Sequence, residues 1–116
     1  MSAPVGPYAP IVRSGKWLIC SGQLGLSDGA LVEGGVSAQT EAAIRNVGAL
    51  LQSEGAALSD VVKTTVFLVD MNAYQAMNEA YVSAFAGHRP ARSAIGVAAL
   101  PMGALVEVEA WARPSD

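Results

Sequence analysis

The residues able to do chemistry are few, and most are guanidinia and carboxylates. The segment Arg89-Pro90-Ala91-Arg92-Ser93 sets a guanidinium at the start of a stretch that carries no further charge through Leu100. A planar fork held at the head of a strand suits bidentate capture of a small carboxylate. Its alternative is an ion pair to Glu107 or Glu109, within or between subunits. Those two glutamates project from one face of another strand, about 7 Å apart. One could hydrogen-bond a water or an imine nitrogen as an acid/base group while the other pairs with a cation; the alternative is a solvated strand edge.

Other catalytic signatures are missing. The sequence has no Gly-rich phosphate loop ending in Lys-Ser/Thr, no His-Glu-x-x-His, no Gly-x-Ser-x-Gly and no Cys-x-x-Cys. The single histidine, His88, falls in a loop and reads as a solvated side chain rather than a metal ligand or a serine relay. The single cysteine, Cys20, sits in the apolar run Trp17-Leu18-Ile19-Cys20 and reads as a buried packing residue. No metal and no cofactor are expected.

The elements that must position these groups follow from periodicity. Ile11-Val12-Arg13, Ser14-Gly15-Lys16 and Trp17 to Ser21 read as strand, turn, strand. Ser27-Asp28-Gly29-Ala30 is a turn, and Leu31-Val32-Glu33 is expected as a short third strand. From Ser37 to Glu54 the pattern is helical, with Ile44, Val47 and Leu51 on one stripe, widened by Ala43 and Leu50. Ser37 is the expected N-cap, and Gly55 suits a left-handed stop. Val61 to Val69 is rich in β-branched residues and is expected as a central buried strand. Asp70 or Asn72 can cap a second helix carrying Ala73, Met77, Ala80, Tyr81 and Ala84, which should end before Pro90. Arg92 to Ala99 and Leu105 to Ala112 are two more strands, joined by Leu100-Pro101-Met102-Gly103 as the turn. Two helices then cover one face of an α+β sheet of about six strands. The last strand has Val106, Val108, Ala110 and Ala112 on one face but Leu105 and Trp111 on the other. The second sheet face therefore needs another subunit to cover it, and a cyclic homo-oligomer is expected.

Length and charge bound the rest. A chain of 116 residues is expected to form one domain over 1–116, with a core of Ala, Val, Leu and Ile, since aromatics are 6% of the residues. The net charge of −3 disfavours nucleic acid as a partner. No apolar run approaches the roughly 18 to 20 residues that span a bilayer, and the first residues lack the pattern of a signal peptide. With one cysteine and no disulfide possible within the chain, a soluble cytoplasmic protein is expected.

Gly6-Pro7-Tyr8, Ser21-Gly22-Gln23, Asn46, Val62-Lys63-Thr64-Thr65-Val66-Phe67-Leu68, Met77-Asn78-Glu79, Pro90-Ala91-Arg92-Ser93 and Ala99-Leu100-Pro101 through Val106-Glu107-Val108-Glu109-Ala110 occur in the order and spacing of one known family. Over residues 6 to 112 the chain resembles the RidA/YjgF family of reactive-intermediate deaminases. The resemblance implies a chorismate-mutase-like subunit in a homotrimer with inter-subunit clefts. It also implies cofactor-free hydrolysis of 2-aminoacrylate and 2-aminocrotonate, or their imine tautomers, to pyruvate or 2-oxobutanoate and ammonia. Carried over by position, Arg92 binds the substrate carboxylate and Glu107 positions or activates water. Tyr8, Gly22 and Asn78 line the cleft, and Ala94 offers a backbone carbonyl. The sequence departs from the common pattern at Ala94, where cysteine is frequent, and at Ala9, Pro10, Gly96 and Met102. These departures bear on substrate preference.

Overall fold

A computed structural model describes residues 4–115. The opening hairpin forms as its turn chemistry predicts, with β1 (Ile11–Ser14) antiparallel to β2 (Trp17–Leu24) around Gly15 at φ 60. Asp28 and Gly29 both take positive φ, the backbone of a tight two-residue hairpin turn. The strands they join are β3 (Leu26–Ser27) and β4 (Ala30–Leu31). The expected strand over 31–33 is therefore shorter and starts earlier, because it is the second arm of this ribbon.

Helix α1 (Gly35–Ser53) buries Ala43, Ile44, Val47, Leu50 and Leu51, the expected stripe. It starts two residues before Ser37. Gly34 is the N-cap, at φ 114, with no side-chain cap bond, so the reading of Ser37 as cap is corrected: a Gly-Gly turn sets the entry instead. Gly55 ends the helix at φ 78, as expected. Strand β5 (Val61–Leu68) follows. Asp70 then accepts a bond from the Asn72 N–H at 2.9 Å and caps a single 3-10 turn, Met71–Ala73, that leads into α2 (Tyr74–Ala84).

The last strands are β6 (Ala91–Gly96) and β7 (Val106–Ala112). They are not neighbours, which corrects their reading as two strands joined through one turn. The main sheet has five strands in the order β1-β2-β7-β5-β6, with β3 and β4 as a separate ribbon. Strand β7 therefore holds the centre, and β5 lies between it and the edge strand β6. The reason is the crossover: β5, α2 and β6 form a parallel unit, and among the described residues the other strand pairs of the sheet are antiparallel. The connection to β7 then returns past the end of β5, where Val97 N–H bonds Leu68 O (2.8 Å) and Val69 N–H bonds Leu105 O (3.2 Å).

The helices cover one face of this sheet. There Leu18, Cys20, Val66, Leu68, Val106, Val108, Ala110 and Ala112 join Ile44, Val47, Leu51, Met77 and Tyr81 in one core. Alternation sends Ile19, Thr65, Phe67, Ser93, Ile95, Glu107, Glu109 and Trp111 to the other face, which no helix covers. On it Trp17 and Trp111 meet edge to face at 6.0 Å, yet Trp111 stays 43% and Ile95 45% exposed.

Candidate active site

Arg92 and Glu107 stand on opposite faces of the sheet. Arg92 is the second residue of β6, opposite Thr64, a buried position on the helix-covered face. Its guanidinium rests over the ring of Tyr81 at 4.8 Å and of Tyr74 at 5.6 Å. One Nη donates to Tyr74 Oη at 3.1 Å, and the other lies 3.7 Å from Met77 Sδ. Among the described residues no carboxylate pairs with it, and the ion pair found there joins Arg13 to Glu54. The alternative of an ion pair to Glu107 or Glu109 within the chain is thereby excluded. The guanidinium is oriented by aromatic faces that leave its charge uncompensated.

Three residues of α2 make that seat: Tyr74, Met77 and Tyr81, spaced to share one helix face. Tyr81 is fixed in turn by a 2.6 Å hydrogen bond between its hydroxyl and that of Thr64. Burial pushes the Tyr81 phenol upward, and the Thr64 bond and the nearby Arg92 charge work against it. Sequence reasoning took Tyr81 for core stripe and passed over Tyr74. A tyrosine at each end of a helical i, i+7 stripe is the signal that was available. Asn78 and Arg92 share a cleft of about 370 Å³ with Tyr81, Val82, His88, Arg89 and Pro90. The Asn78 side-chain carbonyl oxygen is buried there with no partner. His88 is half-buried rather than solvated, because its Nε2 lies 2.7 Å from Val61 O. Ala94 turns its methyl against the core, so only its backbone can reach a ligand from this edge strand.

Glu107 lines a second, wider groove of about 640 Å³ with Val5, Tyr8, Ser21, Gly22, Pro101, Met102 and Glu109. Strand β2 is irregular between Cys20 and Gln23, so Ser21 and Gly22 bulge against β7. The bulge brings Gly22 beneath the carboxylate: a Cβ there would lie 2.5 Å from Glu107 Oε2 and 2.7 Å from its Cδ. Glycine is what leaves room for the acid. Asn46 anchors the end of the same strand from α1, donating to Leu24 O and Leu26 O at 3.0 Å each. Burial, and then the like charge of Glu109, hold the Glu107 carboxyl above its ordinary value. A carboxyl so placed can take a proton from water and return it.

Tyr8, Gly22 and Glu107 are thus together, Asn78 and Arg92 are together, and a single chain does not unite the two sets. A sequence-family profile described as Endoribonuclease L-PSP matches residues 1–113, and the mouse protein named 2-iminobutanoate/2-iminopropanoate deaminase is 46% identical over 112 residues, covering 95% of this chain and 83% of that one. The chain belongs to the RidA/YjgF family. The human protein of the same name is 43% identical over 110 residues, covering 93% and 80%. Among solved structures, RidA from an Antarctic Psychrobacter superposes with a TM-score of 0.91 at 38% identity over 97% of this chain and 92% of that one. E. coli TdcF with bound serine gives 0.90 at 33% identity, over 97% and 91%. In this RidA/YjgF chain no helix among the described residues is long and apolar enough to cross a membrane, and no cluster of His, Cys, Asp and Glu among them could hold a metal ion. Cys20 is buried, and burial pushes its thiol up to about 11, which leaves it a packing residue.

Proposed function

We propose that this protein hydrolyses 2-imino acids, and the enamines that tautomerise to them, to 2-keto acids and ammonia. The observation that carries the reading is the Arg92 guanidinium, seated on two tyrosines and matched by no carboxylate among the described residues. A guanidinium so held is suited to grip a small carboxylate. The relatives named 2-iminobutanoate/2-iminopropanoate deaminase at 43–46% identity supply the reaction. A structure of TdcF with bound serine, another small molecule bearing an α-carboxylate, is consistent with the clamp.

In this reading Arg92 grips the carboxylate and fixes the adjacent C=N carbon. Glu107 orients a water and accepts its proton as the oxygen bonds to that carbon. That proton passes to nitrogen to give a carbinolamine; the remaining hydroxyl proton then follows it to nitrogen through Glu107, and the C–N bond breaks as the carbonyl forms and ammonia leaves. Positioning supplies most of the acceleration, because such imines already hydrolyse unaided in water. Since Arg92 and Glu107 occupy opposite sheet faces, the complete site takes Arg92 and Asn78 from one copy and Tyr8, Gly22 and Glu107 from a neighbour. The exposed face bearing Trp111 and Ile95 is the contact surface, and a homotrimer is the assembly we assign.

The test is to add purified protein to a threonine or serine dehydratase reaction containing semicarbazide, which traps the imine. Semicarbazone formation should fall as protein is added and keto acid should rise. Arg92→Ala should remove the effect. Unchanged semicarbazone at generous protein levels would overturn the reading in favour of a protein that binds small carboxylates without turning them over.

A further inference from the structure

With the carboxylate on Arg92 and the imine carbon facing Glu107, one substituent of the substrate is still unplaced: its side chain. The wall beside Glu107 is formed by Val5, Tyr8, Pro101 and Met102. Among the described residues of this chain, the charged side chains lining that groove are Glu107 and Glu109 themselves. Met102 stands out. It projects from the 3-10 turn Pro101–Gly103 at φ 61 and ψ 15, a left-handed conformation that unbranched side chains rarely adopt. It belongs to neither hydrophobic core, and half of its surface is exposed. Core packing therefore gives no reason for a methionine at this point, and turn geometry alone would favour glycine. What its position does provide is a flexible apolar thioether at the mouth of the groove that holds Glu107.

We propose that Met102 determines which imino-acid side chains the site accepts. With Val5 and Pro101 it makes an apolar wall for uncharged aliphatic side chains longer than an ethyl group, while Glu107 and Glu109 repel a second carboxylate. The groove is about 640 Å³ in the single chain, and the neighbour that brings Arg92 takes up part of it. A thioether adapts to chains of different branching, and each methylene it covers adds to discrimination in the transition state. A side-chain carboxylate would meet two like charges at that wall, with the neighbour's Arg92 already engaged by the α-carboxylate. This inference rests on the deaminase reading.

The experiment generates three imines in place with an amino-acid oxidase, from alanine, leucine and glutamate, and reads the protein's suppression of each semicarbazone as kcat/KM. The leucine-derived imine should be processed faster than the glutamate-derived one. Met102→Ala should lower the leucine-to-alanine ratio of kcat/KM by about tenfold. Met102→Lys should raise the glutamate-to-leucine ratio by about tenfold or more, since it adds a cation beside the two carboxylates. Equal effects on all three imines, or ratios that stay where they were, would overturn the specificity role and leave the deaminase reading standing. If the wild-type protein processes none of the imines, the deaminase reading fails and this inference with it.

Discussion

Arg92 on its two phenol rings and Glu107 above Gly22 have opposite electrostatic surroundings, and each invites a separate test. Glu107 holds its proton to higher pH than a solvated glutamate, because it is buried and because Glu109 is nearby. If its ionised form orients water, activity is lost as pH falls through that raised value, so the acid limb of the rate profile lies above 4.5, the ordinary value. Glu109→Gln removes the like charge but not the burial. The limb should then move down toward 4.5 without reaching it, as a pH series of kcat/KM would reveal. Gly22→Ala should separate catalysis from folding. The added methyl collides with the end of a flexible side chain rather than with backbone, so thermal stability should change little. Displacing the carboxylate by about 1 Å should nonetheless lower kcat by about 100-fold. A variant with normal kcat would show that the glycine does not position the acid. Arg92 and Glu107 were legible in the sequence, as a charge isolated in an uncharged stretch and as acids on an otherwise apolar strand. Tyr74, by contrast, was passed over: its i, i+7 spacing to Tyr81 marks a shared helix face, but nothing in that stripe says what strand will lie beneath it.

Among the elements, the bulged strand β2 and the helix α1 that anchors it decide where Glu107 sits. The Asn46 amide donates to two strand carbonyls at the β2–β3 corner, Leu24 O and Leu26 O. Asn46→Ala should cost about 1–3 kcal/mol of unfolding free energy in a urea titration. The loss should carry into activity, because the corner flanks the Gly22 bulge. A change below a few tenths of a kcal/mol would mean that water replaces the amide. The opening hairpin, the buried stripe of α1, the β-branched strand and the second helix were all readable from periodicity. The partners of β6 and β7 were not. Alternation identifies a strand and its faces, whereas pairing depends on where the crossover through α2 delivers the chain.

For the whole molecule, the uncovered sheet face and the divided site have a common explanation in the proposed trimer. Subunit mixing tests it directly. Arg92→Ala and Glu107→Gln proteins, each inactive alone, should regain activity when unfolded and refolded together. Equal random mixing restores both groups at about a quarter of the sites, since each site draws one residue from each of two neighbours. Activity that fails to return in verified mixed trimers would place both residues in one subunit's site and overturn the shared arrangement. A lysine at Phe67, on the uncovered face opposite Glu107, should lower the sedimentation coefficient and abolish activity while far-ultraviolet dichroism persists.

By itself the sequence determined the two-helix α+β class, the chemistry at hand and the surplus of apolar surface, because composition and local periodicity are written residue by residue. Only the tertiary structure placed Arg92 on one side of the sheet and Glu107 on the other, and only it brought Gly22 under the carboxylate. Those relations depend on pairing register and on a two-residue bulge, and each joins segments far apart in the chain that carry no local mark of their partners.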